Sequence, residues 1–218
     1  MKYFKGLLPL VSVLTFFSAG PALAARTLPK LLQEVEARYA KAGTLRAQYA
    51  QTTESKATLM KSVTRGTLEV KRPNKLRWEQ NEPAKNLLVS DGKTFWFYTP
   101  PFDETEAGQL VERKTHEVQS RLATALLAGA FSSSLKDMTI TPRTESIFLI
   151  RPKRKSAGSV ASIEIEVDPK AHTIGRVRLQ HRGGNLSEIT LSQIELGKEA
   201  LDSHFHFTAP PNTARVEE

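Results

Sequence analysis

Cysteine is absent from this chain of 218 residues. That absence excludes a disulfide framework, a thiolate nucleophile, a cysteine-ligated metal site and a lipid anchor attached through a cysteine thiol. Acidic residues are in deficit, with 23 Asp and Glu against 31 Lys and Arg, so the net charge is +8. A basic chain favours anionic partners, but the charge alone does not choose among nucleic acids, lipid headgroups and acidic proteins.

Long hydrophobic runs are also lacking, except near the N-terminus. There, residues 7–17 are mostly apolar, follow Lys2 and Lys5, and precede the small-x-small site Ala22-Leu23-Ala24. This run is shorter than the roughly 20 residues that a transmembrane helix needs. The pattern therefore predicts a signal peptide over residues 1–24, cleaved after Ala24, and an exported single domain over residues 25–218.

The exported domain is predicted to begin with a helix and to continue as strands. Apolar residues run at helical spacing from Leu28 to Tyr39, which predicts a helix over residues 27–42 that ends at Gly43. From Leu45 onward apolar and polar residues alternate, as is typical of strands with one buried face. Asp91-Gly92 between two apolar runs is a strong hairpin signal.

Helices interrupt the strands rather than alternating with them. A second helix is predicted over residues 113–130, after a loop at 100–106, and a short third helix over 131–137. Strands resume from residue 147, and the last is a short strand that contains Phe205 and Phe207. About ten to eleven strands, joined mostly by tight turns, predict an antiparallel sheet in an α+β fold.

Histidines are the first candidates for catalytic chemistry. His204 and His206 are two residues apart on a predicted strand, so both would face one side and could chelate a metal ion. No other histidine of the sequence stands at a spacing that is diagnostic of a third metal ligand. We favour the alternative, in which both are polar residues on a wet face opposite Phe205 and Phe207. An exported hydrolase that uses His204 or His206 is the least favoured hypothesis.

Charged residues also suggest two kinds of site. Glu164 and Glu166 share a strand face and are candidates for acid–base catalysis. We favour the alternative, in which Arg176 and Arg178 on the next strand form cross-strand ion pairs that account for all four residues. The basic run 151–155 has no stacking aromatic residue beside it, which argues against nucleic acid. We predict no enzyme, no cofactor and no metal ion; the run is predicted to meet an anionic membrane surface or an acidic partner.

The Asp91-Gly92 hairpin is apolar on both faces, where a one-sided sheet would alternate apolar with polar residues. Either both faces are covered by protein, or one lines a cavity. The purely hydrocarbon face is predicted to line a dry cavity, because the other face carries aromatic residues with polar tips. The two faces are Leu88, Phe95 and Phe97 on one side, and Leu87, Val89, Trp96 and Tyr98 on the other.

The sequence resembles the LolA family of periplasmic carriers of outer-membrane lipoproteins. The resemblance rests on the ordered segments 66–78, with its Lys-Arg-Pro turn, and 88–98, with Ser-Asp-Gly-Lys before Trp-x-Tyr. Gln48, Gln51 and the C-terminal Phe205-x-Phe207-x-x-Pro210-Pro211 agree as well. The resemblance covers nearly the whole exported chain. The absence of cysteine favours the soluble carrier over the related outer-membrane acceptor LolB, which is a lipoprotein.

The resemblance implies an incomplete, strongly curved antiparallel barrel with two or three helices as a lid over a hydrophobic cavity. It implies a periplasmic monomer without catalysis that takes lipoproteins from the inner-membrane LolCDE complex and delivers them to LolB. A LolA-like sensor of envelope stress that binds lipid or lipoprotein is the alternative.

Residue roles follow from the resemblance together with the strand alternation. Arg72 matches the arginine of the family's Lys-Arg-Pro turn and is expected to bond to the lid and to control opening and transfer. The expected cavity residues come from four strands and the second helix: Leu68, Val70, Leu76, Trp78, Leu88, Phe95, Phe97, Leu122 and Leu126.

Overall fold

A computed structural model describes residues 28–103, 105–114, 125–153 and 159–216. Twelve strands and few helices make up these ranges. The helices are α1 (Lys30–Ala42), a helical segment at 125–127, α2 (Phe131–Ser134) and a 3-10 helix (Asp202–Phe205). The strands are β1 (Thr44–Glu54), β2 (Lys61–Lys71), β3 (Lys75–Glu82), β4 (Asn86–Ser90), β5 (Thr94–Thr99), β6 (Gly108–Lys114), β7 (Met138–Pro142), β8 (Ile147–Pro152), β9 (Val160–Asp168), β10 (Thr173–His181), β11 (Leu186–Leu196) and β12 (Thr213–Arg215).

All twelve strands form one sheet in the order β12-β6-β5-β4-β3-β2-β1-β11-β10-β9-β8-β7. Neighbours are antiparallel except for β12, which runs parallel to β6. The end strands β7 and β12 do not pair with each other, so the curved sheet stays open. The predicted α+β architecture, an incomplete antiparallel barrel, is confirmed, with twelve strands in place of ten to eleven.

Helix α1 packs against the inner face of this sheet. Its apolar stripe buries Leu32, Val35 and Tyr39, which join one core with inward residues of β1–β3, β5 and β8–β11. The helix ends at Gly43, whose φ of 72° suits glycine and whose amide donates to the Tyr39 carbonyl at 3.1 Å. The first helix is therefore confirmed, but it begins at Lys30, after Leu28 and Pro29; Thr27 lies outside the described residues.

The outer face of β4–β6 is covered by the C-terminal part of the chain. Val89, Trp96 and Leu110 are buried there, with Phe207 and Ala209 packed over them. The two faces predicted for the hairpin are confirmed, since Leu88 and Phe95 lie with the α1 core and Val89 and Trp96 with the outer cluster. One apolar face is thus accounted for by ordinary burial.

Three strands were not predicted. Residues 108–114 form β6, so the expectation of a helix from residue 113 is wrong at its start. These residues pair with β5, and Leu110 is buried beneath the C-terminal segment. These contacts outweigh the helical tendency of the charged residues that follow Leu110. The third helix is shorter than predicted, because Met138 already begins β7 against β8. Strand β12 is only three residues long and leaves little periodicity in the sequence.

The predicted final strand at Phe205 and Phe207 is also wrong. Phe205 ends a 3-10 helix and is completely buried, while Phe207 packs on Tyr98 with ring centroids 5.2 Å apart. Both phenylalanines are therefore used for burial against the outer side of the sheet. At the start of the turn, Asp202 bonds to Lys71 and Lys75, each at 2.7 Å, which holds the chain in a helical turn.

Candidate functional site

Seven of the predicted cavity residues lie on the inner face of β2–β5, in two adjacent cross-strand rows. One row contains Val70, Leu76 and Phe95, all of them buried. Leu68, Trp78, Leu88 and Phe97 form the other row, in that order across four strands. The structure therefore brings together on one surface residues that are up to 29 positions apart in the sequence.

Exposure rises along the second row. Leu68 is completely buried, Trp78 and Leu88 are half-buried, and Phe97 is 45% exposed. We call Trp78, Leu88 and Phe97 the inner strip. It is an apolar surface that continues the core beneath α1 outward to solvent.

Trp78 is held in place from β1 and β2. Its ring meets Tyr49 edge to face, with centroids 4.8 Å apart. Gly66 lies opposite Tyr49. Only glycine fits at this position, because a Cβ there would lie 1.8 Å from the Glu79 carbonyl oxygen. The glycine thus permits the close approach of β2 and β3 at a register shift. This packing fixes one end of the inner strip.

The lid residues divide between described and undescribed parts. Leu126 lies in the helical segment 125–127 and is completely buried in the α1 core, together with Leu127 and Phe131. Leu122 lies outside the described residues. Leu68, Val70, Leu76, Phe95 and Leu126 share this core with α1, so protein side chains occupy the deep part of the inner face in this structure.

Arg72 links the end of β2 to the end of the helical segment. Its guanidinium donates from Nη2 to the carbonyls of Ala128 at 2.9 Å and Gly129 at 3.3 Å. Its backbone amide donates to Gly43 at the end of α1, at 2.8 Å. One residue therefore connects the sheet to α1 and to the helical segment, at the point where sequence analysis expected a bond to the lid.

Those carbonyls are available because of how the segment ends. Ala130 donates to Ala125 and Gly129 to Leu126, each at 2.9 Å, which is a Schellman ending with Gly129 at a φ of 66°. The carbonyls of Ala128 and Gly129 lie beyond these bonds. A cationic donor at a helix C-terminus is also favoured by the helix dipole. We call residues 125–130, with Arg72, the latch.

Tyr39 packs directly beneath the latch. A Cβ at Gly129 would lie 2.8 Å from the Tyr39 ring, so only glycine allows this contact. The Tyr39 hydroxyl accepts a hydrogen bond from the amide of Ile174 in β10 at 3.0 Å. Burial of the hydroxyl raises the pKa of Tyr39 to about 12. The side chain thus joins α1, the latch and the opposite side of the sheet.

A second contact ties α2 to α1. The carboxylate of Glu36 accepts hydrogen bonds from the amide of Ser132, at 2.9 Å, and from its hydroxyl. Phe131, the first residue of α2, is completely buried. Moving residues 125–134 away from both α1 and the sheet would therefore break the bonds of Ala128 and Gly129 to Arg72 and of Ser132 to Glu36.

An open groove of about 1150 Å³ lies beside these helices. Its walls come from α1, α2 and β7, and sequence analysis did not find it because β7 was not predicted. Apolar residues Leu28, Ala37, Ala40, Leu135, Met138 and Ile140 are combined there with polar residues Lys30, Gln33, Glu36, Lys136 and Lys153.

The candidates for catalysis have structural partners. His204 lies on the 3-10 helix and pairs with Glu69 at 3.2 Å, while the His206 ring meets Trp96 edge to face at 5.2 Å. They do not share a strand face, which corrects the geometry assumed for a chelate. Within the described ranges, no group of three or more possible ligands is arranged to hold a metal ion.

The predicted cross-strand ion pairs are present. Arg176 pairs with Glu166 at 2.7 Å and with Glu164 at 3.8 Å, and Arg178 pairs with Glu188 of β11 at 3.6 Å. These pairs account for the carboxylates considered for acid–base chemistry. In the part of the chain that the structure describes, helices are all too short or too polar to cross a bilayer.

Comparison with known proteins shows the family to which the chain is similar. The family profile described as "Outer membrane lipoprotein carrier protein LolA" matches residues 40–208. An outer-membrane lipoprotein carrier protein of Shewanella sediminis is 30% identical over 200 residues, which cover 87% of this chain and 91% of the relative. The protein of the same name from Serratia proteamaculans is 31% identical over 179 residues, covering 82% and 83%.

Solved structures match at much lower identity. The crystal structure of a LolA superfamily protein from Nitrosomonas europaea is 11% identical, with a TM-score of 0.45, and the match covers 81% of this chain and 96% of that one.

Proposed function

We propose that this chain, which belongs to the LolA family of outer-membrane lipoprotein carrier proteins, carries lipoproteins with their acyl chains against the inner face of its sheet. The family consists of periplasmic carriers and not of enzymes. We further propose that the chain reaches the periplasm after cleavage behind Ala24, accepts cargo released by LolCDE and delivers it to LolB.

The cargo's chemistry explains why a carrier needs both an apolar surface and a means of closing it. An acyl chain of about 16 carbons gains on the order of 10 kcal/mol when it leaves water, at roughly 0.8 kcal/mol per methylene. Such a chain does not cross an aqueous compartment free. Held at full strength, it would not leave its carrier either, so a closed state that competes with cargo lowers the net affinity to a useful level.

The observation that best supports the proposal is the continuity of the inner face. A buried row beneath α1 lies beside the inner strip, where Phe97 is 45% exposed. Cargo that enters at the strip would displace α1 and the helical segment from the deeper residues. The bonds of Arg72 to Ala128 and Gly129 then oppose this displacement, so the latch holds the inner face closed until cargo binds.

The test is release of a lipoprotein from the inner membrane. Spheroplasts depleted of their own carrier are incubated with the purified mature chain, and a newly synthesised labelled lipoprotein is measured in the soluble fraction. We expect a soluble complex of carrier and lipoprotein, formed only when LolCDE is active. Subsequent transfer to outer membranes is expected only when those membranes contain LolB.

A matched pair of variants tests the site. Leu88→Glu places a charge on the half-buried inner strip, where an apolar ligand would bind, and is expected to abolish release while the protein still folds. Val63→Glu places the same charge at an exposed position of β2, on the opposite face by strand alternation, and is expected to leave release intact. Circular dichroism and thermal melts check folding of both.

Three results would contradict the proposal. Unfolding of Leu88→Glu would place that residue in an ordinary core, as in the double-burial alternative. Normal release by Leu88→Glu would show that the inner strip does not bind acyl chains. Lipoprotein binding without release from spheroplasts would favour the sensor hypothesis over the carrier.

A further inference from the structure

The tip of the β1–β2 hairpin exposes two large apolar side chains. Leu59 is 89% exposed and Met60 is 70% exposed, although many apolar residues of this chain are buried in the core. Leu59 also has a φ of 55°, in the left-handed region that leucine rarely adopts. Two unfavourable features at one residue, exposure and backbone strain, indicate a position kept for contact with something else.

The tip is nevertheless a defined structure. Ser55 donates its amide to the Met60 carbonyl at 2.9 Å, which closes the loop, and the Lys56 amide donates to the side chain of Asn185 at 3.0 Å. The Lys56 side chain packs so closely on Gly184 that a Cβ there would lie 2.3 Å from its Cδ. The β10–β11 turn thus supports the tip from one side and leaves Leu59 and Met60 pointing away from the protein core.

Cationic residues surround the tip. Lys56 and Lys61 flank the apolar pair, Arg182 lies in the supporting β10–β11 turn, and Lys85 lies in the β3–β4 connection at the same end of the sheet. Lys61 is paired with Glu54 at 3.1 Å but remains largely exposed. The acidic residues at this end, Glu54 and Glu82, are paired with Lys61 and Arg65. An apolar tip with lysine and arginine on its flanks and in the neighbouring connections has the composition of segments that enter the interface of anionic membranes.

Another exposed apolar residue at this end differs in its surroundings. Phe102, in the β5–β6 loop, is 94% exposed, but Asp103 and Glu106 lie beside it. Three strand spacings, about 14 Å, separate this loop from β2. Acidic neighbours repel an anionic surface, so the charge pattern selects the β1–β2 tip.

We propose that the β1–β2 tip is a membrane-contact element that inserts Leu59 and Met60 into the interface of an anionic phospholipid bilayer, with Lys56 and Arg182 at the headgroups. Two side chains give a weak and reversible contact, which suits a chain that must also leave the membrane. The proposal does not rest on the carrier role, because contact with bare lipid requires neither lipoprotein nor transporter.

The test is flotation of the mature chain with vesicles. We expect co-flotation with vesicles of phosphatidylethanolamine and phosphatidylglycerol at low salt, and little with phosphatidylcholine alone. Leu59→Ser and Met60→Ser are each expected to weaken binding at least about tenfold, since several methylenes leave the interface. Lys56→Gln is expected to weaken it about fivefold, and added salt should weaken the wild type.

Leu201→Ser is the matched control. Leu201 is 69% exposed and lies near the opposite end of the sheet, where the neighbouring Ala200 bonds to Lys71. This variant should bind as the wild type does. Because Leu59 is exposed, Leu59→Ser should melt like the wild type. The proposal would be overturned if the wild type failed to float or if Leu59→Ser bound equally well. Failure of the wild type to float would favour a protein partner at the tip instead of a membrane.

Discussion

Replacing Arg72 with leucine is expected to weaken closure of the latch without unfolding the protein. The substitution removes two hydrogen bonds from a charged donor, to Ala128 and Gly129, and leaves the Schellman bonds of the segment in place. Such charge-assisted bonds contribute about 1.5–3 kcal/mol each when shielded, and less at a half-buried site. We therefore take about 2 kcal/mol for the pair, which raises the open fraction about thirtyfold.

Hydrogen exchange of the latch measures this change directly. The amides of Gly129 and Ala130 donate within the segment, so they exchange when the segment leaves the sheet and its last turn unfolds locally. We expect Arg72→Leu to exchange there about thirtyfold faster than the wild type, with little change in β9 and β10. Arg72→Lys keeps the charge but loses the planar fork, and its exchange should lie between the two.

Function should change in a particular way. Arg72→Leu is expected to take up lipoprotein normally but to transfer it poorly, because closure no longer opposes the open, loaded state. Arg46→Leu is the control: Arg46 is an exposed arginine on β1 that pairs with Glu69 and does not touch the latch. Unchanged exchange at Gly129, or normal transfer by Arg72→Leu, would show that Arg72 is an ordinary strand-end residue.

Three further predictions concern the packing around the sheet. Gly129→Ala should lower the free energy of unfolding by about 1–2 kcal/mol in a denaturant titration, because the new methyl meets the Tyr39 ring at 2.8 Å and φ is positive. Tyr39→Phe should cost about 1–3 kcal/mol at pH 7 by leaving the buried Ile174 amide unpaired. Because the folded pKa of Tyr39 is raised to about 12, wild-type stability should also fall between pH 10 and 12, and the phenylalanine variant should lack that component in alkaline unfolding curves. Asp202 has its pKa lowered to about 2 by hydrogen bonds from two lysines, so its stabilising contribution should be lost as pH falls from 4 toward 2; limited proteolysis of the C-terminal segment should show this loss, and Asp202→Asn should be insensitive to pH in that range.

Local patterns and the family resemblance together predicted the residues of the inner strip, Trp78 being carried over by the resemblance. Strand alternation on either side of Asp91-Gly92 assigned Leu88 and Phe97 to one face and Trp96 to the other. The structure agrees, since Ser90 pairs with Phe95 around the short connection at 91–93 and Leu88 pairs with Phe97. The same alternation placed Arg72 on the inner side of β2. The carbonyl acceptors of Arg72 were predicted from the resemblance and because the last carbonyls of a helix need donors. The structure shows these acceptors at Ala128 and Gly129.

The elements that were missed depend on distant contacts. The β6 sequence contains four charged or amide side chains, and it becomes a strand because β5 pairs with it and Leu110 is covered from the C-terminal side. Phe205 and Phe207 alternate like a strand, yet Phe205 fills a buried position at the end of a helical turn. Sequence periodicity reports which residues are buried, but it does not report which distant segment covers them.

The central claim is that acyl chains lie against the inner face of the sheet, and adjacent positions of β4 test it most directly. A photo-crosslinking residue is placed at Leu88, on the inner strip, or at Leu87, on the outer face beside Phe207. The chain is then loaded with a lipoprotein bearing labelled acyl groups and irradiated. The account predicts a strong acyl adduct from position 88 and little from position 87. Equal labelling at both positions, or labelling at position 87 alone, would contradict it.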